Sequence, residues 1–425
     1  MKVLWLINVI LPPAAKALGF EQTPMCGWVI GALNGIKESI EQITVVTTSE
    51  SVSEIKEYNE ENIQHIVCPN GTIDEYEKMF SDILNKTDYD IVQIFGTEDP
   101  HSLAMLNCAD LSKTVLNIQG LINSCLFHYA DGIPYEYYKD TLLRKILRLF
   151  KIGTQPVELD VKSFGLNASA SEKEAIEKAK NIIGRTTWDK ACVTQMNPNV
   201  MYYSVYETLR DEFYNAEQKW ELDKCDKHTI FVSQAHYPIK GLHNLLNALP
   251  IILKQYPDTQ VYIAGPELVF PHRSPMALKY DKRFSGYWGY IRVLMEENHL
   301  HEHVHFLGRL DVNQMIERYL KTNVYVLPST IENGSNSLGE AMILGVPCVA
   351  AYVGGVTDMI RNNVDGVLYS PTAPYMLADG VMRIFKDAEL TNKFSQNGII
   401  RSNSIYNREA NAKKLLEVYK QIIGK

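Results

Sequence analysis

The sequence predicts an α/β protein of two domains with mostly parallel sheets. Three observations carry this. Short apolar runs alternate with helix-spaced segments along the chain, the order that βαβ units require. The length of 425 residues suits two domains, or three. Within Val324–Asp358 a complete strand–loop–helix–strand unit is legible: apolar Val324–Leu327, a polar loop, helical spacing from about Ser337 that Gly345-Val346-Pro347 stops, then a strand from Pro347 to Tyr352 before Gly354-Gly355.

Composition narrows the class. Hydrophobic residues at 46% and charged residues at 22% describe an ordinary globular protein with a large core. A net charge of -8 argues against a general nucleic-acid binder, which carries a basic face. The seven cysteines (26, 68, 108, 125, 192, 225, 348) form no C-x-x-C pair and no metal spacing, and read as free thiols in a reducing compartment. Lys2 followed by Val3–Leu11 and Pro-Pro-Ala-Ala superficially resembles a signal peptide, but the run is short, broken by Asn8, and reads better as a first buried strand. No stretch approaches the ~18 apolar residues of a spanning helix. A cytoplasmic protein is the expectation.

In chain order, the first half reads as strand Val3–Ile10, the loop Leu18–Gly27 and helix Gly27–Ser39. Strands Ile43–Thr48 and Ile63–Cys68, helix Ile73–Asn85, and strands Asp90–Phe95 and Thr114–Ile118 follow. The loops at Leu18–Gly27, Gly96–His101 and Gln119–Ser124 all follow strands and should gather on one rim of the sheet. His101 is a candidate base there, although a loop histidine is also a common helix cap.

Residues 135–151 place Leu142, Leu143, Ile146, Leu149 and Phe150 on one helical stripe, with Lys139, Arg144, Lys145, Arg148 and Lys151 largely off it. Two readings fit: a basic amphipathic helix on an anionic membrane surface, or a domain helix with its stripe in the core. Helix Glu172–Ala179 and strand Asn181–Gly184 lead to Arg185-Thr186, beside Trp188 and Asp189. That pair suits a sugar or phosphate, or else an Arg–Asp surface pair. Glu207–Trp220 is charged and helical, and with Glu221–Lys227 reads as the link between domains.

The second domain opens with strand Thr229–Ser233, then Gln234 to Gly241, helix Leu242–Gln255 and strand Gln260–Ala264. Lys240-Gly241 sets a long cation beside a glycine at a helix start, a reasonable diphosphate contact. An irregular aromatic-rich stretch, Leu268–Tyr287, precedes helix Ile291–Asn298, strand Val304–Phe306 and the loop Gly308-Arg309-Leu310. Helix Val312–Leu320 leads into the unit at Val324–Asp358; Tyr375–Asp387 and Glu409–Ile423 are the last helices.

The chemistry gathers in that unit. In an open parallel sheet, ligands sit at the carboxyl ends of strands. The loop after Leu327 meets a helix N-terminus, which favours phosphate. Glu340, inside the helix, can accept hydrogen bonds from a diol such as a ribose. Glu332, seven residues earlier by intervening count, is free to meet a second part of the same ligand. A phosphate-bearing, hydroxyl-rich ligand is implied.

Glu332 and Glu340, with Asn336-Ser-Leu-Gly-Glu-Ala-Met342 and Gly345-Val-Pro347, resemble the E-x7-E signature of retaining nucleotide-sugar glycosyltransferases, glycosyltransferase family 4 of the GT-B fold. The resemblance covers the second domain closely and the first in outline. It implies two Rossmann-like domains facing across a cleft: an acceptor-side domain (1–205), a connection (206–227), a nucleotide-sugar domain (228–405) and a C-terminal helix (406–425) packing back on the first. It also implies roles. Glu340 would bind the ribose and Lys240 the diphosphate. The backbone of Asn333, Gly334, Ser335, Asn336, Ser337 and Leu338 would cradle phosphate, Glu332 would contact the donor sugar, and Gly308 and Arg309 would meet the base. Gly27, His101 and Arg185 fall on the acceptor side.

The chain departs from that pattern twice. Many relatives carry a histidine pair where Gln119-Gly120 stands, and a Gly-Arg pair six residues before the lysine, where this chain has Ser233-Gln234. Gln119 supplies only a neutral hydrogen bond. A cation of the kind missing at Gln234 is typically worth several kcal/mol in the transition state; Arg185 or Arg309 would have to compensate. No metal or cofactor is expected, because no Asp-x-Asp pattern stands in a suitable place. The expected function is retaining transfer of a sugar, UDP-linked, to a carbohydrate or lipid-linked acceptor. The alternatives are a non-catalytic nucleotide-sugar-binding partner subunit and a GT-B epimerase.

Overall fold

The computed structural model describes residues 1–21, 26–150, 155–166, 168–266, 272 and 274–424. Parts of three stretches singled out in the sequence therefore lie outside the described residues: 22–25 of the loop before Gly27, Lys151, and 267–271 with 273.

The chain folds into two compact units, one of Met1–Ser124, Gly165–Asp211 and Ile405–Lys425, the other of Cys125–Phe164 and Glu212–Ser404. Each is α/β, built on a mostly parallel sheet.

In the first unit the strands are β1 (Lys2–Ile7), β2 (Gln42–Ser49), β3 (Lys56–Glu60), β4 (Ile63–Pro69), β5 (Ile91–Phe95), β6 (Thr114–Asn117), β7 (Asn181–Gly184) and β8 (Met201–Ser204). Their order is β3-β4-β2-β1-β5-β6-β7-β8, with β3 alone antiparallel to its neighbour. Alternation along β1 explains how both faces are filled. Val3, Trp5 and Ile7 enter one buried cluster with Ile43, Val45 and Ile91, and Leu4 and Leu6 enter the other with Phe80, Ile94 and Leu116. The final helix, Arg408–Ile423, adds Tyr419 to the first cluster, where Trp5 Nε1–H donates to Tyr419 Oη at 2.9 Å.

The second unit holds β9 (Thr229–Val232), β10 (Gln260–Ile263), β11 (Val304–Phe306), β12 (Val324–Leu327), β13 (Cys348–Ala351) and β14 (Val367–Tyr369), in the order β11-β10-β9-β12-β13-β14. All of these pairings are parallel. This is the Rossmann order, and it reverses between β9 and β12. A ligand crevice is expected outside the carboxyl ends of those two strands.

Several boundaries differ from the sequence reading. Residues 125–164 leave the first unit and belong to the second, where 1–205 was expected to be continuous. The reason is tertiary. Arg144 is only 4% exposed and donates to the carbonyl oxygens of Lys139, Arg283 and Ser285 at 3.2 to 3.3 Å. Tyr137 also stacks on Tyr290 with centroids 4.9 Å apart. With Arg144 turned inward, the helix Leu142–Leu149 presents its stripe outward: Leu142 is 74% exposed, Ile146 45% and Leu149 82%.

Residues 212–227, expected to be a linker, line the second unit; Trp220 Nε1–H donates to Thr322 O at 2.7 Å. Only Asp211–Asn215 of the charged stretch is helical. Pro275–Phe284, expected to be irregular, is a helix capped by Ser274. Among the described residues, no helix is long and apolar enough to cross a membrane.

Candidate active site

The site is built where the second sheet reverses. β9 ends at Val232, and the chain passes through a short 3-10 turn, Pro238–Lys240, into helix Leu242–Leu253. Gly241 joins the two at φ +67°, and a Cβ there would lie 1.9 Å from Pro328 O. Only glycine permits this approach, which presses Lys240 against the loop leaving β12. Two bonds fasten the contact: Thr330 N–H donates to Ile239 O at 2.8 Å, and Asn244 Nδ2–H donates to Pro328 O at 3.1 Å.

From the other side Gly354 and Gly355 hold the same loop. Gly355 N–H donates to Glu332 O at 3.0 Å, and a Cβ on Gly354 would lie 2.1 Å from that oxygen. The two glycines bring the backbone close enough to set Glu332 opposite Lys240.

Lys240 Nζ donates to Glu332 Oε1 at 2.7 Å, and Ser329 Oγ–H donates to the same oxygen at 2.8 Å. The side chains are 16% and 12% exposed, so this is a largely desolvated pair that still reaches solvent. Burial pulls the Lys240 ammonium down, but the Glu332 carboxylate outweighs it and holds the group above the ordinary lysine range. The ammonium also sits over the Tyr237 ring, 5.6 Å from its centroid.

Helix Asn336–Leu344 begins beside this pair. Ser335 caps it, its Oγ accepting from Leu338 N–H at 3.3 Å. A chain of hydroxyls ties the cap to the sheet: Ser233 Oγ to Tyr325 Oη at 2.9 Å, Tyr325 Oη to Ser337 Oγ at 2.9 Å, and Ser337 Oγ to Ser335 Oγ at 3.0 Å. The backbone of Asn333–Leu338 thus reaches a fixed helix N-terminus, where N–H groups and dipole favour an anion. Glu340 lies within the helix and is 5% exposed.

On the β10–β11 side, Gly265 N–H donates to Gly308 O at 2.9 Å, leaving Gly308 at φ +71° and Arg309 exposed. Gln234 is exposed after β9, its Nε2 3.3 Å from His236 Nδ1. Burial and then the charges of Lys240 and Arg309 push the His236 imidazole below its ordinary range. Both cations therefore act on the space around His236.

The remaining predicted residues lie in the first unit. Gln119 follows β6 and is half-buried. Gly27 opens helix Gly27–Ile36, where a Cβ would lie 2.3 Å from Arg210 Cγ, so its small size serves packing. His101 does not stand in a loop; it is in the first turn of helix Pro100–Cys108 and is 4% exposed. Its Nδ1 is 3.1 Å from Thr48 Oγ1, its ring meets Tyr76 edge-on, and burial holds it below the ordinary histidine range. Arg185 pairs with Glu207, the two side chains 10% and 9% exposed. Asp189, the partner the sequence suggested, instead accepts from Thr186 N–H at 3.2 Å in a capping box.

Two carboxylates were missed. Glu98 accepts from Thr97 N–H at 2.7 Å and from Gly120 N–H at 2.5 Å, between the ends of β5 and β6. Burial pushes its carboxyl above the ordinary range, against the pull of those donors, and the Glu172 charge adds to the rise. Glu172 is fully buried and accepts from Ile122 N–H at 2.9 Å and Asn123 N–H at 2.8 Å. The signal available was the Gly96-Thr-Glu98 turn straight after a strand, in the loop where attention went to His101.

The chain has recognisable relatives. Residues 214–401 match the family model described as "Glycosyl transferases group 1". A putative glycosyltransferase of Bacillus subtilis is 26% identical over 200 residues, 47% of this chain and 46% of that protein. A phosphatidyl-myo-inositol mannosyltransferase of Mycobacterium tuberculosis is 25% identical over 224 residues, 50% of this chain and 52% of its own. The chain spans about half the length of the curated relatives it matches.

Among solved structures, sucrose-phosphate synthase from Thermosynechococcus elongatus superposes with a TM-score of 0.67 at 15% identity, covering 100% of this chain and 99% of that one. Anabaena HepE in complex with UDP-glucose gives 0.63 at 14% identity, covering 99% and 100%. These likenesses establish the GT-B fold class. The family match and the curated relatives make residues 214–401 similar to glycosyl transferases of group 1.

Proposed function

We propose that this protein is a retaining glycosyltransferase that moves a sugar from a nucleotide diphosphate donor, most simply UDP-linked, to a hydroxyl acceptor. The observation that carries the reading is the Lys240–Glu332 pair at the strand-order reversal, beside a capped helix N-terminus. A diphosphate laid across Asn333–Leu338 draws on the helix N–H groups, and Lys240 exchanges Glu332 for a phosphate oxygen. Freed of its partner, the Glu332 carboxylate accepts hydroxyls of the donor sugar. Glu340 takes the ribose, and Gly308-Arg309 borders the base. As the glycosidic bond breaks, Lys240 and the helix dipole stabilise charge on the departing diphosphate. The leaving phosphate takes the proton of the acceptor hydroxyl, so no separate base is required. Likeness to a structure holding UDP-glucose supports the donor class.

The exposed stripe Leu142–Phe150, with Lys145 exposed beside it, suits an anionic membrane surface and a lipid-linked acceptor. We place the enzyme in the cytoplasm, at the inner face of that membrane. Gln119 and Gln234 favour a second reading, a nucleotide-sugar binder without turnover.

One experiment separates the two. The protein is incubated with UDP-sugars without acceptor, nucleotide release is followed, and the anomer of the freed sugar is read by NMR. Slow release with the donor's anomeric configuration supports the enzyme. Tight donor binding with no release supports the binder, and the opposite anomer contradicts retention.

A further inference from the structure

Three metal-ligand side chains converge at the end of helix Tyr287–Glu297. Glu296 lies in its last turn, His301 in the turn before β11, and His272 shortly before helix Pro275–Phe284. His301 Nε2 is 2.8 Å from Glu296 Oε2, and His272 Nδ1 is 3.4 Å from the same oxygen. The two imidazoles are inclined at 44° with centroids 4.0 Å apart, and one ligand atom from each residue lies within 4.8 Å of the others. A tetrahedral ion with metal–ligand bonds of about 2.0–2.1 Å sets its ligands roughly 3.3 Å apart. The His272–Glu296 separation already has that value, and the His301–Glu296 hydrogen bond needs to open by about half an ångström.

We propose that His272, Glu296 and His301 form a binding site for a divalent transition metal, zinc by ligand type, with solvent completing the coordination. Two imidazoles and a carboxylate suit zinc and are poor for magnesium or calcium, which take oxygen ligands. The spacing escapes the sequence because the ligands stand 24 and 5 positions apart and no cysteine takes part. Bound metal ties His272, three positions before helix Pro275–Phe284, to the far end of helix Tyr287–Glu297. His272 is 77% exposed, and its own free energy of burial is small, so the tie adds order only when metal is present.

The test is calorimetric titration of the metal-stripped full chain with zinc chloride, with cobalt(II) as a spectroscopic substitute. Wild type is expected to take one zinc per chain, to give the visible absorption of tetrahedral cobalt, and to melt at higher temperature with zinc. His272→Ala, at an exposed position where folding is not at stake, should weaken zinc binding at least about tenfold and remove the thermal shift; Glu296→Gln and His301→Ala should do the same. The proposal is overturned if wild type takes up no stoichiometric zinc, or if either histidine variant binds it as wild type does. UDP titration of His272→Ala should match wild type, which keeps this site separate from the transfer reading.

Discussion

Lys240 Nζ and Glu332 Oε1 stand 2.7 Å apart across the point where strand order reverses, each held there by glycine backbone. In this arrangement the Lys240 cation and the Glu332 carboxylate neutralise each other. Under the proposed function, donor binding would exchange one set of partners for another, so that little uncompensated charge is buried at any stage.

Lys240→Ala should cost both folding and rate: it leaves the Glu332 carboxylate, 12% exposed, without this cation, at about 3 kcal/mol in urea unfolding. UDP affinity is expected to fall at least about tenfold and donor turnover by about a hundredfold or more. Steady-state kinetics with the UDP titration check both.

Gly241→Ala tests the geometry that places the lysine. A side chain at φ +67° against Pro328 O strains the turn and pushes the β12 loop away. The substitution should cost about 2 kcal/mol or more in urea unfolding and should weaken UDP binding, although it touches no charge.

A pH dependence follows from His243 and His65. Each is buried, and burial pushes each imidazole down to about 4. His243 Nε2–H donates to Asp131 O at 2.9 Å, which fixes the neutral tautomer. Protonation is favoured in the unfolded chain, near the ordinary pKa of about 6.5. Stability is thus fully present above that pH and is lost as pH falls toward 4, by roughly 3 kcal/mol per group. Urea unfolding from pH 7 to pH 4 should show the loss, and His243→Gln should reduce its slope.

The first unit depends on Arg185 and Glu207. Glu207→Gln removes the carboxylate paired with a guanidinium that is only 10% exposed and should cost about 3 kcal/mol. The double variant Arg185→Met/Glu207→Leu should lose less than Glu207→Gln alone, as measured by thermal or urea unfolding.

The exposed stripe gives a surface prediction. Leu142→Ser with Leu149→Ser should abolish sedimentation with phosphatidylglycerol vesicles while leaving UDP affinity unchanged, because both side chains are more than 70% exposed. Equal sedimentation of wild type and variant would remove the membrane contact from the account.

Much of the second unit was legible because its signals are local. Val324–Leu327 and Cys348–Ala351 are short apolar runs, and Gly345 at φ +86° ends the helix where the sequence places its stop. Lys240 and Glu332 were each identifiable from their loops, but their pairing rests on a close approach between positions 92 apart. The first unit was harder to read. β3 alternates between half-buried and exposed residues at a sheet edge, and β8 is half exposed, so neither makes an apolar run. Helix Leu142–Leu149 shows why periodicity alone does not say which face is buried: Arg144, through its carbonyl partners, outweighs five apolar side chains. Glu98 was passed over because a carboxylate in a polar loop carries no mark of the backbone donors that fold around it.

The most direct test is calorimetric titration of the full chain with UDP, GDP and ADP, repeated for Lys240→Ala and Glu340→Gln. The account predicts that one nucleotide, UDP, binds clearly and that both substitutions weaken it at least about tenfold. If no nucleotide binds, or if Glu340→Gln binds as tightly as wild type, the crevice between β9 and β12 is not a donor site and the proposed function fails.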